Sequence, residues 1–553
     1  MSASVENSPQ TLIDELLAEQ QQLTAVERFA RKHEDGALPA QARYYRDLIP
    51  LSKPQRGEQY AFAVDLDACT GCKACVSACH SLNGLDEDEI WRNVGVLHGG
   101  TAEEPYQQTV TTACHHCVEP ACLTGCPVMA YDKDAETGIV RHLDDQCIGC
   151  QYCVLKCPYD VPKYSEKRGI VRKCDMCSSR LAVGEAPACV QACPTSAISI
   201  RLVDREEVSR AAKPGGQMIP GAFDSGYTKP STSFRTQRAM PANAHPGDAH
   251  ALRLEHAHWP LVFMLVLTQM AVGLFLALVF APENPAAQTA LALAGFATLN
   301  AGLAVSVLHL GRPLGAWRFF LGLRTSWMSR EILAFGVFAG AAGASALTSG
   351  AALLAREFPR TLLDPIFTLL APLAGGFAWI AALLGLGAIY CSAMIYIDTR
   401  RTFWRAAQTL PKFFGTTLVL GTNAALAVLA ALALMDESPD STVHTLAAIA
   451  TLIRSVLFAW EAISFAQALR DPRDADHRSA LTVWTFQPRI ASARVALFLV
   501  ATALGVACMA ATGFAALACA AVAFALTITS RIIERHFYFT AVIALRMPGG
   551  VVA

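Results

Sequence analysis

The hydrophobic and polar positions divide this 553-residue chain into two halves of different character. Up to about residue 255, polar residues alternate with short apolar runs, and Gly, Pro and Cys are frequent. Beyond that point, long apolar runs are separated by short basic stretches. About 20 apolar residues in a helix span ~30 Å of hydrocarbon, and uncharged runs this long are rare in the alternative, a buried bundle of a soluble protein. The pattern predicts an all-α bundle of about eight transmembrane helices, near 259–281, 287–310, 331–355, 366–396, 413–435, 442–466, 494–511 and 514–534.

The polar half begins with apolar residues that recur at near-helical spacing, among them Leu12, Leu16 and Leu23. They predict an amphipathic helix at 8–34, which either packs on its own domain or docks onto a partner. Pro, Gly and Ser are frequent at 204–255, as is typical of an extended linker or of a tail that lies along a partner subunit. The predicted divisions are an N-terminal helix and extension, a cysteine-rich domain, the linker and a membrane anchor, at 1–57, 58–203, 204–255 and 256–553.

Basic residues are concentrated in alternate connections between the predicted membrane helices. The connections after helices two, four and six carry 13 Lys or Arg residues, whereas the opposite connections carry only Arg356 and Arg360. Lys and Arg are enriched in cytoplasmic loops, and an even number of helices returns the chain to its starting side. The cysteine-rich domain and the C-terminus are therefore predicted on the cytoplasmic side.

Charge and cysteine usage restrict the function further. A formal net charge of −1 argues against a nucleic-acid-binding protein. Of the 19 cysteines, 16 lie between Cys69 and Cys193, and the other three lie in apolar runs, where free Cys packs as a small hydrophobe. Disulfides of a secreted protein are the alternative for the 16. The N-terminal sequence lacks the basic and apolar regions of a signal peptide, and the cysteines form tight groups unlike a disulfide framework.

The 16 cysteines form four runs. Runs one and three have C-x2-C-x2-C-x3-C spacing, and run three ends in Pro, which is typical of bacterial ferredoxins. Three thiolates on one tight loop bind three corners of an iron–sulfur cube, while the fourth reaches the neighbouring cube. Runs must then work in pairs, which predicts four 4Fe–4S clusters in an α+β domain with two ferredoxin-like double-cluster modules. The runs are Cys69, Cys72, Cys75, Cys79; Cys114, Cys117, Cys122, Cys126; Cys147, Cys150, Cys153, Cys157; and Cys174, Cys177, Cys189, Cys193.

Zinc is the competing metal. Four-cysteine zinc sites usually consist of two separated C-x2-C pairs, which the fourth run alone resembles. The repeated C-x2-C-x2-C loops and the C-x3-C at the end of every run fit tetrahedral zinc poorly. His115 and His116 lie inside the second run, which already has four cysteines, so they are expected to cover or tune a cluster unless they are ordinary surface histidines.

These motifs are similar to those of a known family. Residues 58–235, with CTGCKAC, CHHCVEPAC, CIGCQYC, CPY and GYTKP in order, resemble the four-cluster iron–sulfur subunit of the dimethyl sulfoxide reductase family of molybdoenzymes. Residues 255–545, with LHLGRP, SWMSREIL and SAMIY, resemble its membrane anchor. The resemblance implies that two usually separate subunits are fused here. It further implies a bacterial inner-membrane protein that lies in lipid and has a separate molybdopterin-containing catalytic subunit as its partner.

The resemblance also implies which cysteines share a cluster, because in that family run one pairs with run four and run two with run three. Where the nitrate reductase branch has Trp at the second position of run three, this chain has Cys150, which implies a complete cube. The implied ligand sets are Cys69, Cys72, Cys75 and Cys193; Cys174, Cys177, Cys189 and Cys79; Cys114, Cys117, Cys122 and Cys157; and Cys147, Cys150, Cys153 and Cys126.

Family anchors bind a quinone near a His of the HLG motif and a following Glu, which correspond here to His309 and Glu331. Ionisable groups at helix ends on the cluster-bearing side can exchange protons with menaquinol or ubiquinol. The alternative is a capping His and a Glu that snorkels or pairs with Arg330. Arg454 and Glu461 lie seven residues apart on one helix face, which predicts a structural ion pair or, as the alternative, part of a proton path.

No substrate site is recognisable in the sequence, so a non-catalytic electron-transfer and anchor subunit is predicted, which passes electrons between the quinone pool and the molybdopterin subunit. The basic loops favour a cytoplasmic face, and the resemblance then implies a complex of the sulfite-oxidising type, because relatives with this orientation include such complexes, which deliver electrons to quinone. The alternatives are the electron-transfer subunit of an anaerobic S-oxide or N-oxide reductase, a quinone-linked proton-translocating module, and a redox sensor without an onward partner.

Overall fold

The computed structural model describes residues 11–21, 24, 27, 42–281, 283–359 and 362–549. An α+β region comes first, and a bundle of long helices follows, which confirms the predicted fold class. Of the amphipathic helix predicted at 8–34, the structure describes a helix at Leu12–Gln21, and nearly all of the remainder lies outside the described residues.

The cysteine-rich region contains four small sheets. β1 lies between β8, which is antiparallel to it, and β9, which is parallel. β2 lies between β10 and β3, both antiparallel. Two hairpins, β4–β5 and β6–β7, complete the set. The strands are β1 Glu58–Asp65, β2 Asn93–Gly100, β3 Pro105–Thr112, β4 Tyr131–Lys133, β5 Val140–His142, β6 Lys163–Ser165, β7 Ile170–Arg172, β8 Ile198–Asp204, β9 Ser233–Arg235 and β10 His245–Pro246.

Short helices follow or lie within the cysteine runs. A helix of ten residues begins next to Cys75 and carries Cys79 on its second turn, whereas those near the other runs have four or five residues. The short helices are Ala42–Tyr45, Ala74–Asn83, Ala121–Gly125, Tyr152–Lys156, Ser178–Ala182, Ala188–Gln191 and Arg205–Ala211, with a 3-10 turn at Arg46–Leu48.

The segment 204–255 contributes to the iron–sulfur region, although its composition predicts an extended linker or a tail on a partner. Asp204 caps the helix Arg205–Ala211 by accepting a hydrogen bond from the Glu207 amide at 2.8 Å. Further along, β9 and β10 add edge strands to both three-stranded sheets. The exposed N–H and C=O groups of a sheet edge provide partners for an extended chain, and composition does not reveal this pairing.

In the described part of the chain, eight helices are long and apolar enough to cross a membrane, and they agree with the predicted runs. In chain order they are called the first to eighth membrane helices: Trp259–Val279, Pro285–His309, Trp327–Glu357, Asp364–Ile397, Ala406–Ala433, Asp440–Arg470, Pro488–Cys508 and Gly513–Thr540. The shorter helical pieces in their connections are Pro313–Gly322, Thr402–Trp404 and His477–Phe486.

The iron–sulfur region contacts the connections that carry most of the basic residues. Lys156, which is buried, forms an ion pair of 2.7 Å with Asp398, just after the fourth membrane helix. Arg478, after the sixth, donates to the Ala251 carbonyl at 3.0 Å. The C-terminal segment returns to the same side, where the Gly549 carbonyl accepts from the Val96 amide. On the opposite side Arg356 pairs with Glu437, and Arg360 lies outside the described residues.

Arg454 and Glu461 do not form the predicted ion pair with each other. The guanidinium of Arg454 donates to Asn423 Oδ1 at 2.7 Å and to the Ala501 carbonyl at 2.8 Å. Glu461 accepts two hydrogen bonds from Arg531, at 2.8 and 2.9 Å, and also pairs with Arg494. Both side chains face the bundle interior, as expected for charges at membrane depth, but neighbouring helices supply their partners.

Candidate metal centres and their membrane contact

The cysteine loops are held in conformations that turn backbone amides inward. In run one the φ angles of Gly71 and Lys73 are +72° and +61°, and in run three those of Gly149 and Gln151 are +70° and +58°. Glycine adopts such left-handed angles without steric cost. Successive N–H groups in this arrangement form a concavity that favours an anionic centre, and the Gly149 amide donates to Cys147 Sγ at 3.4 Å.

Three cavities in the iron–sulfur region are each lined by four cysteines from two different runs. In every case three of the four belong to one run and the fourth comes from the last cysteine of the run paired with it. The three sets are Cys69, Cys72, Cys75 and Cys193; Cys79, Cys174, Cys177 and Cys189; and Cys114, Cys117, Cys122 and Cys157.

The remaining four cysteines form a fourth set, at the face of this region that contacts the membrane helices. The thiol of Cys150 lies close to those of Cys126 and Cys147, and the thiol of Cys153 lies close to all three. Cys126, Cys147 and Cys153 are buried in one apolar cluster, with Cys150 packed against it. The structure thus brings together the same four groups of cysteines that the family resemblance implies, and they are called below the first to fourth cysteine sets.

The donor chemistry of these sets suits iron–sulfur clusters. Within the described residues, no group of His, Cys, Asp and Glu side chains is arranged to hold a single metal ion. Four thiol sulfurs around a small cavity instead match the corners of a cube. Burial raises the pKa of the Cys126 and Cys157 thiols to about 11. Binding of these sulfurs as thiolates therefore releases protons, with the positive charge of iron as the compensating force.

Two buried cations lie between neighbouring sets. Arg92 faces Cys75 of the first set and Cys189 of the second. Lys173 Nζ lies 3.7 Å from Cys114 Sγ of the third set and beside Cys174 of the second. The positive charges stabilise thiolates, because Coulomb interactions are strong in a low-dielectric interior, and they would also stabilise the extra electron of a reduced cluster held by these sets. The placement of the two cations was not visible in the sequence, since it depends on long-range packing.

His115 and His116 are buried, so the alternative of ordinary surface histidines is wrong. Burial and the nearby Arg92 lower the pKa of His115 to about 3, and burial with Lys173 lowers the pKa of His116 well below its ordinary value. His115 packs edge-on against Tyr159 at 4.5 Å, beside the third set. Both imidazoles are therefore neutral at physiological pH, and His115 covers this set without adding charge, while His116 Nδ1 accepts from the Val140 amide.

The four sets follow one another from the surface toward the membrane. Cys72 of the first set is exposed. The first set adjoins the second through Arg92, and the second adjoins the third where Cys174 lies near Cys114. Tyr131, which is buried, lies between Cys122 of the third set and Cys153 of the fourth.

The loop of the fourth set packs directly on the connection after the second membrane helix. The Arg312 amide, within the HLGRP motif, donates to the Ile148 carbonyl at 3.0 Å. A Cβ added to Gly311 would lie only 2.1 Å from the Gly169 carbonyl oxygen, so the close approach requires glycine there. A second contact is made by Ser326, whose hydroxyl donates to the Gly125 carbonyl at 2.7 Å. The fourth set is thus the one next to the membrane helices.

The two residues proposed from sequence for quinone binding lie at helix ends near this contact. His309 closes the second membrane helix; its Nδ1 contacts the Ser306 carbonyl, and its Nε2 is buried without a hydrogen-bond partner in the described part of the chain. Glu331 lies in the first turns of the third membrane helix, 7% exposed, and its Oε1 is likewise unpartnered there. Arg330 donates instead to the carbonyls of Leu323 and Arg324, which contradicts the alternative of an Arg330–Glu331 pair.

Sequence reasoning missed two residues of this region. Tyr152, between Cys150 and Cys153, is fully buried in the core of the membrane bundle. Its hydroxyl donates to the Ile395 carbonyl at 3.2 Å, and the ring lies close enough to Glu331 for the two groups to interact electrostatically. His258 precedes the first membrane helix near His309, and burial lowers its pKa to about 4. Two features of the sequence could have indicated these residues. One is the aromatic residue inside a cysteine loop, and the other is the HAHWP stretch at the membrane boundary.

Each half of the chain is similar to a known protein family. The family model of the 4Fe-4S dicluster domain matches residues 106–203, and that of the DMSO reductase anchor subunit (DmsC) matches residues 254–541. The B subunit of the anaerobic dimethyl sulfoxide reductase of Haemophilus influenzae is 38% identical over 156 residues, which are 27% of this chain and 76% of that protein.

Two further relatives match similar portions of the chain. The corresponding B subunit of the anaerobic dimethyl sulfoxide reductase of Escherichia coli strain K12 is 35% identical over 196 residues, 34% of this chain and 92% of the relative. The hydrogenase-2 operon protein HybA of Escherichia coli O157:H7 is 34% identical over 213 residues, 34% of this chain and 63% of the relative.

Proposed function

Because this protein belongs to the dimethyl sulfoxide reductase family, with an iron–sulfur subunit of the B type joined to an anchor subunit, we propose that it carries electrons between membrane quinone and a separate molybdopterin-containing catalytic subunit. It is a multi-pass membrane protein that holds 4Fe–4S clusters. The number of clusters, the quinone site, the partner and the orientation belong to the proposal.

One observation carries the proposal: the four cysteine sets form a continuous path from exposed Cys72 to membrane-buried Tyr152. Each set is proposed to bind one 4Fe–4S cluster, so that the four clusters form one electron-transfer chain. The surface around the first set is where the catalytic subunit would exchange electrons, because Cys72 is exposed there and the depression beside Cys193 is lined by exposed Leu82.

At the membrane end, His309 and Glu331 are proposed to bind the quinone head group and exchange its protons. Both have an unpartnered buried atom among the described residues, and both lie near the contact with the fourth set. Reduction of a quinone takes up two protons with two electrons, and oxidation of the quinol releases them, so groups that exchange protons are needed beside the site of electron transfer. Menaquinone and ubiquinone both fit this chemistry.

For the partner's reaction we propose sulfite-type oxidation on the cytoplasmic side, with electrons passing to quinone. The basic connections lie on the side of the iron–sulfur region, and such loops are typically cytoplasmic. The second candidate is reduction of an S-oxide or N-oxide, favoured by relatives that are named as subunits of anaerobic dimethyl sulfoxide reductase. A proton-translocating module has less support, because Arg454 and Glu461 are held by fixed polar partners.

The proposed function predicts that a tagged full-length protein, purified from its native host, brings with it a molybdopterin-containing subunit. In the purified complex, sulfite should reduce the clusters and then added quinone, whereas dimethyl sulfoxide should not reoxidise clusters reduced by quinol. The measurements are metal analysis, mass spectrometry of the bound subunit and cluster absorbance. The reverse substrate pattern would support the second candidate, and a protein that binds no redox subunit would contradict the proposal itself.

The proposed orientation makes a separate prediction. An alkaline phosphatase reporter fused after Ala553 should be inactive, and a green fluorescent protein at the same place should fluoresce, because these two reporters are active on opposite sides of the membrane. Fusions in the connection between the first and second membrane helices provide the opposite control. An active phosphatase after Ala553 would place the iron–sulfur region in the periplasm and remove the argument for cytoplasmic sulfite oxidation.

A further inference from the structure

A cavity of about 260 Å³ lies in the bundle away from His309 and Glu331. It is bounded by the fifth to eighth membrane helices and by the short helix His477–Phe486. Apolar side chains such as Phe458, Phe465 and Val495 form much of its wall. Ligand sites in proteins are usually apolar cavities with a few polar groups, and this cavity has that character.

The polar end of the cavity lies near the helix ends on the iron–sulfur side. Lys412 is six residues into the fifth membrane helix, which begins at Ala406, and Arg494 is six residues into the seventh, which begins at Pro488. At 1.5 Å per residue these positions lie roughly 9 Å from the helix ends. The short helix exposes Trp484 at its surface, as is typical of residues at a membrane–water boundary.

Two cations, Lys412 and Arg494, and three carboxylates line this end of the cavity, and further arginines lie behind the carboxylates. Three carboxylates, those of Glu461, Asp476 and Glu534, are each paired with an arginine. Five cations surround them, which leaves a formal surplus of two positive charges. The cations are Arg405, Lys412, Arg494, Arg531 and Arg535.

Several donors at the cavity have unused hydrogen-bonding capacity in the described structure. The Lys412 ammonium lies 3.7 Å from Glu534 Oε1, beyond hydrogen-bond distance, and has Phe403 as a cation–π neighbour at 4.5 Å. Nε of Arg494 is unpartnered, and so is the hydroxyl of Ser479, a residue only 1% exposed. One acceptor at the cavity, Glu534 Oε1, is also unpartnered in the described structure. Buried polar groups normally have partners, and the donors outnumber this acceptor, which favours an acceptor-rich ligand.

We infer that this cavity binds one anionic phospholipid. Its phosphate would accept hydrogen bonds from Lys412, Ser479 and Arg494, and would offset the surplus positive charge. Its acyl chains would run along the apolar wall. Basic pockets between membrane helices bind anionic head groups in this way, and the apolar lining favours a lipid over free phosphate. The inference goes beyond the proposed function and holds for either direction of electron flow.

The test is native mass spectrometry of the purified full-length protein, titrated with phosphatidylglycerol, phosphatidylcholine, inorganic phosphate and decyl-ubiquinone. One phosphatidylglycerol should bind in preference to phosphatidylcholine. Lys412→Gln should weaken this binding about fivefold, Lys412→Arg should restore it, and Ala462→Leu should weaken it by filling the cavity. Arg473→Gln, exposed on the same side, is the matched control and should leave binding unchanged.

Equal binding of phosphatidylcholine, unchanged phosphatidylglycerol binding in both Lys412→Gln and Ala462→Leu, or displacement of phosphatidylglycerol by decyl-ubiquinone would overturn the inference. Capture of inorganic phosphate with the same affinity would show an adventitious anion site and would also overturn it. The readout is lipid binding itself, so failure here is distinguishable from failure of the proposed electron-transfer function, which is measured by cluster reduction.

Discussion

Replacement of Cys126 by serine is expected to remove the cluster bound by the loop of run three, although Cys126 belongs to run two. In the structure its thiol lies among those of Cys147, Cys150 and Cys153. Loss of one ligand in four should release about a quarter of the cluster iron if four cubes are present. Quinol-linked reduction of the remaining clusters should fall to background, because the fourth set is the one at the membrane contact.

The matched variant is Cys157→Ser, which belongs to run three but lines the cavity of the third set. It should remove a different cluster, with a different spectrum and potential in electron paramagnetic resonance. Cys519→Ser, in an apolar helix far from the runs, is the neutral control. If Cys126→Ser and Cys114→Ser abolished the same signal, the proposed pairing of runs two and three would be incorrect.

Replacement of Glu331 by glutamine is expected to lower quinol oxidation by about 10²–10⁴-fold, the usual contribution of a positioned proton acceptor. The side chain is buried, and the substitution keeps its shape while it removes the carboxylate that would take up the quinol proton. Single-turnover reduction of the oxidised clusters by added quinol, which needs no further electron acceptor, measures the loss. Reduction of the clusters by dithionite should be unchanged, because no cysteine is altered.

Glu437→Gln is the matched control for this substitution. Glu437 pairs with Arg356 on the opposite side of the bundle, at 2.8 Å, far from the fourth cysteine set. Its replacement should cost little in turnover, since partly exposed ion pairs contribute ~1 kcal/mol or less to stability. A Glu331→Gln variant with normal quinol turnover would exclude Glu331 as the proton acceptor and leave His309 as the candidate.

The large divisions of this protein could be predicted because they depend on local patterns. Apolar runs of sufficient length predict membrane helices for two reasons. The thickness of the bilayer sets their length, and the backbone N–H and C=O groups find no water in the hydrocarbon and must pair within the helix. All eight spans agree with that pattern, including the two last helices, which end and begin at Cys508 and Gly513. Cysteine spacing indicates clusters for a similar reason, because three ligands of a cube lie on one short loop.

The partners of the buried charges could not be predicted in the same way. Arg454 and Glu461 share a helix face, which made an ion pair between them plausible, but each is satisfied by residues of other helices. Charged side chains that are removed from water form ion pairs or hydrogen bonds with the nearest complementary groups, and the packing of the helices decides which groups are near. Equally, the strand β9 of the segment 204–255 was not recognisable before the edge of β1 was known.

The sequence by itself therefore determined the family, through its motifs, and the apolar runs of the membrane helices and the four cysteine runs, through spacing along the chain. Only the tertiary structure decided how the two halves meet. Gly311 approaches Gly169 so closely that a side chain would not fit, and Tyr152 passes from a cysteine loop into the core of the membrane bundle. Such contacts join residues more than 100 positions apart, and their geometry depends on the packing of both halves together.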